Sequence, residues 1–168
     1  LSLSTLLPYL DKNSLYRVSW GAKGLRGQEW ETLQKKYDQR LEQMLRDADV
    51  YGWLKPQALY GYWPCQAEEE TLLLFKPDQE NLNPIAKFHF PRSRGESAIS
   101  LSDYFIELGK DEKDLVGLQI VTVGKAATEK YGRLEAQAAY SEGCCVHGLA
   151  VCMAEATAEY CSKLMLQE

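Results

Sequence analysis

The hydrophobic pattern changes its period near Pro56, and this change limits the folds open to the chain. From 28 to 49, apolar side chains recur at steps of three and four residues, as on one face of an α-helix. From 58 to 63 the pattern alternates with a period of two, which is typical of a β-strand. A block of helix followed by a block of strands predicts an α+β fold rather than alternating βαβ units.

Further strands are predicted at 71–75 and 85–90, and with 58–63 they are expected to form an antiparallel meander. A fourth strand is predicted at 115–123. The aromatic residues expected in one antiparallel sheet with strand 115–123 are Tyr60, Tyr62, Phe88 and Phe90. Helices are predicted at about 126–140 and 145–165, with a break at Gly143, and we expect the 28–49 and 145–165 helices to back the sheet.

Two shorter helical segments are predicted near the N-terminus. The first covers residues 4–10 and has a serine cap, and the second covers 14–20 and has Asn13 as its cap. Glycines at 21, 24 and 27 then interrupt the chain. No strand precedes these glycines, so the pattern does not favour a phosphate-binding loop.

Composition excludes several classes of protein. The 168 residues carry a net charge of −5, which argues against binding to a nucleic-acid backbone because such binding needs a concentrated basic face. No apolar run is long enough to span a membrane, and the N-terminus does not resemble a signal peptide. We therefore expect one cytoplasmic domain over residues 1–168.

The cysteines predict a reducing compartment. Their odd number and the absence of Cys-x-x-Cys spacing argue against a disulfide framework, so no stabilising disulfide is expected. The five are Cys65, Cys144, Cys145, Cys152 and Cys161. Only two histidines occur, and neither has a ligand-spaced cysteine pair beside it, so no zinc site is expected.

Standard catalytic motifs are absent, and a few isolated residues remain as candidates. His147 is either a packing or capping residue or a general base. Arg92 and Arg94 either hold an anion or lie in a solvated turn. Asp11 is either a helix cap or a ligand contact. Glu155 is either a solvated helix residue or a contact to a ligand that approaches closely, because alanines surround it on its helix.

Seven short motifs in a fixed order carry a family resemblance. They are LYRVSWG (15–21), ALYGYWP (58–64), FHFPR (88–92), LSDYF (101–105), VTVG (121–124), HGLA (147–150) and AEATAEY (154–160). Together they resemble the activation domain of cobalamin-dependent methionine synthase, which binds S-adenosylmethionine. The resemblance covers residues from about 6 to 165.

The resemblance implies a C-shaped α+β domain with a twisted antiparallel sheet and flanking helices. It also implies that the domain presents S-adenosylmethionine to cobalamin in a neighbouring domain, so that cob(II)alamin is restored to methylcobalamin with one electron, typically from a flavodoxin. Asp11 and Glu155 match the family's acidic residues near the methyl donor. Carboxylates suit a ligand with an ammonium group, a sulfonium and a ribose diol.

Two departures from the family pattern affect these expectations. Cys65 and Gln66 stand where the family commonly has Ala-Asn. The family's Arg-x-x-x-Gly-Tyr-Pro segment, which contacts the donor's carboxylate and adenine, is not found in the 168 residues. Donor binding by this polypeptide alone is therefore expected to be weak or absent. The alternative is a non-catalytic module that docks to a corrinoid-binding protein without binding the donor.

Overall fold

The computed structural model describes residues 1–77, 83–95 and 98–167, and the chain divides into two compact units. The helical unit contains Leu1–Leu59 and Gln119–Glu168, and the sheet unit contains Tyr60–Leu118. None of the helices in the described part of the chain has the length and hydrophobicity needed to span a bilayer.

Four strands form an antiparallel sheet with the order β3-β2-β1-β4. Their bounds are Gln57–Glu68 for β1, Thr71–Leu74 for β2, Ala86–His89 for β3 and Asp114–Thr122 for β4. The β1–β2 and β2–β3 pairs are both antiparallel. The predicted α+β class and the meander are therefore confirmed.

The strand β1 extends to Glu68, beyond the predicted end at residue 63. Pro64 lies within the strand although proline has no N–H to donate. Its carbonyl oxygen, however, accepts a hydrogen bond from the Phe75 N–H at 2.8 Å, so pairing continues past the proline. Phe90 follows β3 rather than lying within it, and its N–H donates to the Glu70 carbonyl at 2.7 Å.

The sheet unit has an apolar cluster of its own around three buried residues, Cys65, Leu72 and Leu74. Partly buried side chains pack against them. These are Trp63, Ala86, Phe90, Phe105, Val116 and Leu118. Strand alternation explains the cluster, because residues two apart on β2 point to the same face of the sheet.

Five α-helices lie in the described residues of the helical unit. They are α1 (Leu3–Leu6), α2 (Lys12–Ser14), α3 (Gly27–Tyr51), α4 (Lys125–Ala136) and α5 (Tyr140–Met165). The long helix predicted from the three- and four-residue spacing is confirmed as α3. Its buried residues Leu41, Met44 and Ala48 keep that spacing, and Gly52 ends it in the left-handed region at φ +62°.

The last helix α5 begins at Tyr140, so the predicted break at Gly143 was wrong. Gly143 is buried inside the helix, where an added Cβ would lie 3.5 Å from the Tyr131 ring of α4. This is an ordinary van der Waals distance, so α4 packs against α5 at Gly143 without a clash at that position. The glycine lowers intrinsic helix propensity by about 1 kcal/mol relative to alanine, and the helix continues through it. Val146, Leu149 and Met153 of α5 are fully buried in the core of this unit.

Candidate functional site

Asp11, the first candidate residue, lies at the start of α2. Its Oδ1 accepts a hydrogen bond from the Ser14 N–H at 2.9 Å, which makes Asp11 the N-cap of α2. The prediction that Asn13 is the cap was wrong, since the Asn13 Oδ1 instead accepts from Arg17 Nε at 2.9 Å. Asp11 is exposed, and within the described residues it forms no ion pair.

A turn of π-helix, Leu15–Ser19, follows α2 directly. The Trp20 N–H donates to the Leu15 carbonyl at 2.8 Å, the i to i+5 bond that defines this conformation. Turns of π-helix are rare and are found frequently at functional sites. Leu15 and Tyr16 are buried in the core, so the turn is packed against the unit and brings Ser19 next to α5.

The π turn and α5 meet at Gly148. An added Cβ on Gly148 would lie 2.6 Å from the Cβ of Ser19, a distance that leaves no room for any side chain. The Trp20 Nε1 also donates to the Cys145 carbonyl at 3.2 Å. These contacts fix the N-terminal segment against one face of α5.

Glu155 lies on α5 beyond this contact, three residues after the buried Cys152. The Cys152 thiol is 4.0 Å from the Ser19 hydroxyl. Burial raises the pKa of Cys152, and the charges of Glu155 and Asp11 raise it further, while the hydrogen bond with Ser19 lowers it. Asp11 and Glu155 are far apart in the sequence, but they belong to two segments that the contact between Ser19 and Gly148 joins.

A groove between α4 and α5 lies on the same unit. One cavity of about 410 Å³ is lined by residues of both helices, among them Ala150 and Ala154. A second cavity of about 250 Å³ includes Ser19 and Gly148 in its lining. Tyr131 and His147 line both cavities, and their rings lie 5.2 Å apart. Asp11 and Glu155 line neither of these two cavities.

The structure places the other candidates from the sequence outside the contact between the π turn and α5, and Arg94 is exposed. His147 is exposed and packs on Tyr131. Arg92 lies in the sheet unit, where its guanidinium donates to both carboxylate oxygens of Asp103 at 2.6 and 2.7 Å. This hydrogen bonding lowers the pKa of Asp103. In the described residues no group of three or more His, Cys, Asp or Glu side chains could hold a metal ion, and no cysteine forms a disulfide.

Sequence reasoning missed two residues of the site, Ser19 and Gly148. The sequence offered one signal for Gly148, because glycine inside a long helix often marks a close approach. No sequence pattern identified Ser19, because its position next to α5 depends on the extra residue in the π turn.

The comparison with protein families decides what kind of domain this is. Residues 2–168 match the family described as "Vitamin B12 dependent methionine synthase, activation domain". The chain belongs to this family. The family resemblance predicted from the seven motifs is therefore confirmed.

Two relatives are similar to this chain in sequence, and one solved structure is similar to it in fold. The chain is 27% identical over 177 residues to the methionine synthases of Mycobacterium leprae (strain TN) and Mycobacterium tuberculosis (strain ATCC 25618 / H37Rv). These alignments cover 100% of this chain but 15% of each relative, so the chain spans a small part of their length. The fold is similar to that in the crystal structure of the MetH reactivation domain bound to AdoHcy. The TM-score is 0.82 and the identity 22%, over 97% of this chain and 52% of that chain.

Proposed function

We propose that this domain binds S-adenosylmethionine and presents its methyl group for the reductive methylation of cob(II)alamin to methylcobalamin. The corrinoid is held by a neighbouring domain or a separate corrinoid-binding protein. One observation carries the proposal: in a member of the methionine synthase activation-domain family, the close contact of Ser19 with Gly148 packs the segment that carries Asp11 against the helix that carries Glu155. The related structure that binds AdoHcy, the demethylated form of the donor, supports it.

The two carboxylates fit a cationic ligand with hydroxyl groups. Asp11 uses Oδ1 to cap α2, which leaves Oδ2 without a hydrogen-bond partner among the described residues. Glu155 is exposed, and in the same part of the chain it has neither an ion pair nor a hydrogen bond. An ammonium group or a ribose diol can supply the missing donors, and hydrogen bonds to charged groups are worth about 1.5–3 kcal/mol.

Methyl transfer requires the protein mainly to bind and orient the donor. The sulfonium of S-adenosylmethionine is already an activated methyl donor, and cobalamin supplies the nucleophilic cobalt when it is bound. One electron enters, the methyl group leaves sulfur for cobalt, and S-adenosylhomocysteine is released. We propose a flavodoxin-like protein as the electron donor. Asp11 and Glu155 would hold the donor in one orientation, and such positioning can lower a barrier by several kcal/mol.

The affinity of this chain alone is expected to be low. The Arg-x-x-x-Gly-Tyr-Pro segment, which the family resemblance assigns to the donor's carboxylate and adenine, is not among the 168 residues. With only the Asp11 and Glu155 contacts, we expect a dissociation constant on the order of 1 mM.

A reconstituted reaction tests the function. The chain is mixed with the cobalamin-binding domain of a methionine synthase, a one-electron reductant and S-adenosylmethionine that carries a labelled methyl group. We expect this chain to accelerate transfer of the label to methylcobalamin, and Asp11→Asn to lower that rate more than Glu159→Gln. If the chain forms a complex with the corrinoid domain but label transfer does not depend on it, the domain is a docking module and the proposal is wrong.

A further inference from the structure

Two consecutive residues of α3 hold the N-terminal segment at several points. The Tyr37 hydroxyl donates to the Trp20 carbonyl at 2.6 Å. Asp38 Oδ1 accepts two hydrogen bonds, one from the Tyr16 hydroxyl at 2.7 Å and one from Lys12 Nζ at 3.3 Å. Two adjacent positions on α3 therefore bind residues on both sides of the π turn.

Aromatic packing reinforces these hydrogen bonds. The rings of Tyr16, Trp20 and Tyr37 lie 5.2–5.4 Å apart from one another. Tyr16 is 1% exposed. Burial raises its pKa, and the hydrogen bond to Asp38 raises it further, so the phenol stays protonated and remains a donor to the carboxylate.

The π turn depends on such contacts from outside the turn. Its i to i+5 bonding is rare, because the wider turn gives up the closer backbone packing of an α-helix. A five-residue turn is also too short to be stable by itself, since helix formation needs several residues to offset nucleation. The bonds from α3 reach Lys12, Tyr16 and Trp20, which flank and include the turn.

The residues that α3 holds are the direct neighbours of the site residues. Lys12 follows Asp11, and Trp20 follows Ser19. A small rotation of the turn would therefore move both Asp11 and Ser19 relative to Cys152 and Glu155 of α5. Ligand sites tolerate such movement poorly, because productive geometry has to be held to within about 0.5 Å.

We propose that Tyr37 and Asp38 are positioning residues for the methyl-donor site: they fix the π turn against α5, so that the segment that carries Asp11 keeps its position relative to the helix that carries Glu155. This role rests on the proposed function, because the proposed function assigns Asp11 to binding of the methyl donor. Neither residue is proposed to contact the donor itself.

The test combines a binding measurement with one that needs no ligand. Tyr37→Phe removes the hydroxyl that donates to Trp20, and Asp38→Asn removes the negative charge that strengthens the hydrogen bonds from Tyr16 and Lys12. Both keep the shape of the side chain. Glu31→Gln, on an exposed position of the same helix, is the matched control. S-adenosylmethionine affinity is measured by NMR titration of this chain, well below the melting temperature of every variant. Amide hydrogen exchange is followed at Trp20 and Ala22, whose N–H groups donate to Leu15 and Tyr16.

We expect both variants to bind S-adenosylmethionine 3- to 10-fold more weakly than wild type, and both amides to exchange faster, while the control is unchanged. In an Asp11→Asn background, Asp38→Asn should add little to the loss of affinity, because both act on the same contact. Faster exchange with unaltered affinity would overturn the positioning role. If the fold losses of affinity caused by Asp11→Asn and Asp38→Asn multiply in the double variant, the positioning role is overturned too, since Asp38 then acts independently of Asp11.

The two proposals fail in different ways. If wild type neither binds S-adenosylmethionine nor accelerates transfer of the labelled methyl group to methylcobalamin, the proposed function is wrong, and the positioning role falls with it. Hydrogen exchange in the variants would still show whether Tyr37 and Asp38 stabilise the π turn.

Discussion

Gly148 and Ser19 approach so closely that a single added methyl group at Gly148 would lie 2.6 Å from the Ser19 Cβ. The clash involves an atom attached directly to the backbone of the π turn, so rotation of a side chain cannot relieve it. The contact joins the segment that carries Asp11 to the helix that carries Glu155. The whole candidate site depends on this approach.

Gly148→Ala is expected to destabilise the protein by about 1–3 kcal/mol, the usual range for overpacking of a close contact. The matched control is Gly132→Ala in α4, where an added Cβ meets nothing within 4 Å. That substitution should stabilise the helix by about 0.5–1 kcal/mol, because alanine is the better helix former. Urea unfolding measures both variants. Equal stability of Gly148→Ala and wild type would show that the π turn does not rest on α5.

The thiols provide a second prediction. Cys144 is exposed, and the other four cysteines are buried. A thiol reagent such as Ellman's reagent should therefore label one cysteine rapidly in the folded protein and all five in urea. With no stabilising disulfide, a reducing agent should leave the melting temperature unchanged. A fall of more than a few degrees on reduction would contradict this, since loss of a disulfide typically costs 2–5 kcal/mol.

Alkaline pH should destabilise the fold through its buried thiols. Burial, with a smaller effect of the Asp114 charge, raises the pKa of Cys65 from 9.0 to about 11. The pKa of Cys65 is higher in the folded state than in the unfolded state. Its contribution to the free energy of unfolding is therefore fully present below pH 9 and is lost as pH rises towards 11. The loss for this thiol is about 2–3 kcal/mol.

The measurement is urea unfolding of wild type and Cys65→Ala at several pH values from 8 to 11. The free energy of unfolding should fall more steeply with pH for wild type, so that the difference between the two proteins narrows. Parallel curves would show that Cys65 does not titrate differently in the folded and unfolded states.

The parts of the fold that could be predicted were those with a clear local pattern. The period of 3.6 residues that buries Leu41, Met44 and Ala48 made α3 evident, and the alternation after Pro56 made the strands evident. The errors fell where tertiary contacts outweigh local preference. Gly143 is buried in a helix that packs against α4, and this packing outweighs the low helix propensity of glycine. The strand β1 continues past Pro64 because the Pro64 carbonyl accepts the hydrogen bond from Phe75.

The candidate site could be predicted only in part. Family motifs pointed to Asp11 and Glu155, but composition alone described them as a cap and a solvated helix residue. The hydrogen bond from Tyr16 to Asp38 and the approach of Ser19 to Gly148 depend on the π turn. No pattern in a single sequence identifies a five-residue π turn, since its residues are compatible with an ordinary α-helix.

Removing either carboxylate charge should weaken donor binding by about 1–3 kcal/mol, the scale of a lost charge-assisted hydrogen bond. Asp11→Asn is preferable to alanine because asparagine also caps helices, so α2 should persist. Glu155→Gln is paired with Glu159→Gln, an exposed position one turn further along α5, which should bind like wild type. Equal losses in the two glutamine variants would mean that only overall negative charge matters.

An NMR titration of this chain with S-adenosylmethionine, carried to several millimolar, tests donor binding most directly, because it detects weak binding and locates it. We expect the backbone amides of Ser14, Ser19 and Glu155 to shift together along one saturation curve, while those of Leu72 and Phe88 in the sheet unit do not move. Absence of shifts at any concentration, or shifts confined to residues of the sheet unit, would contradict the assignment of Asp11 and Glu155 to the methyl donor.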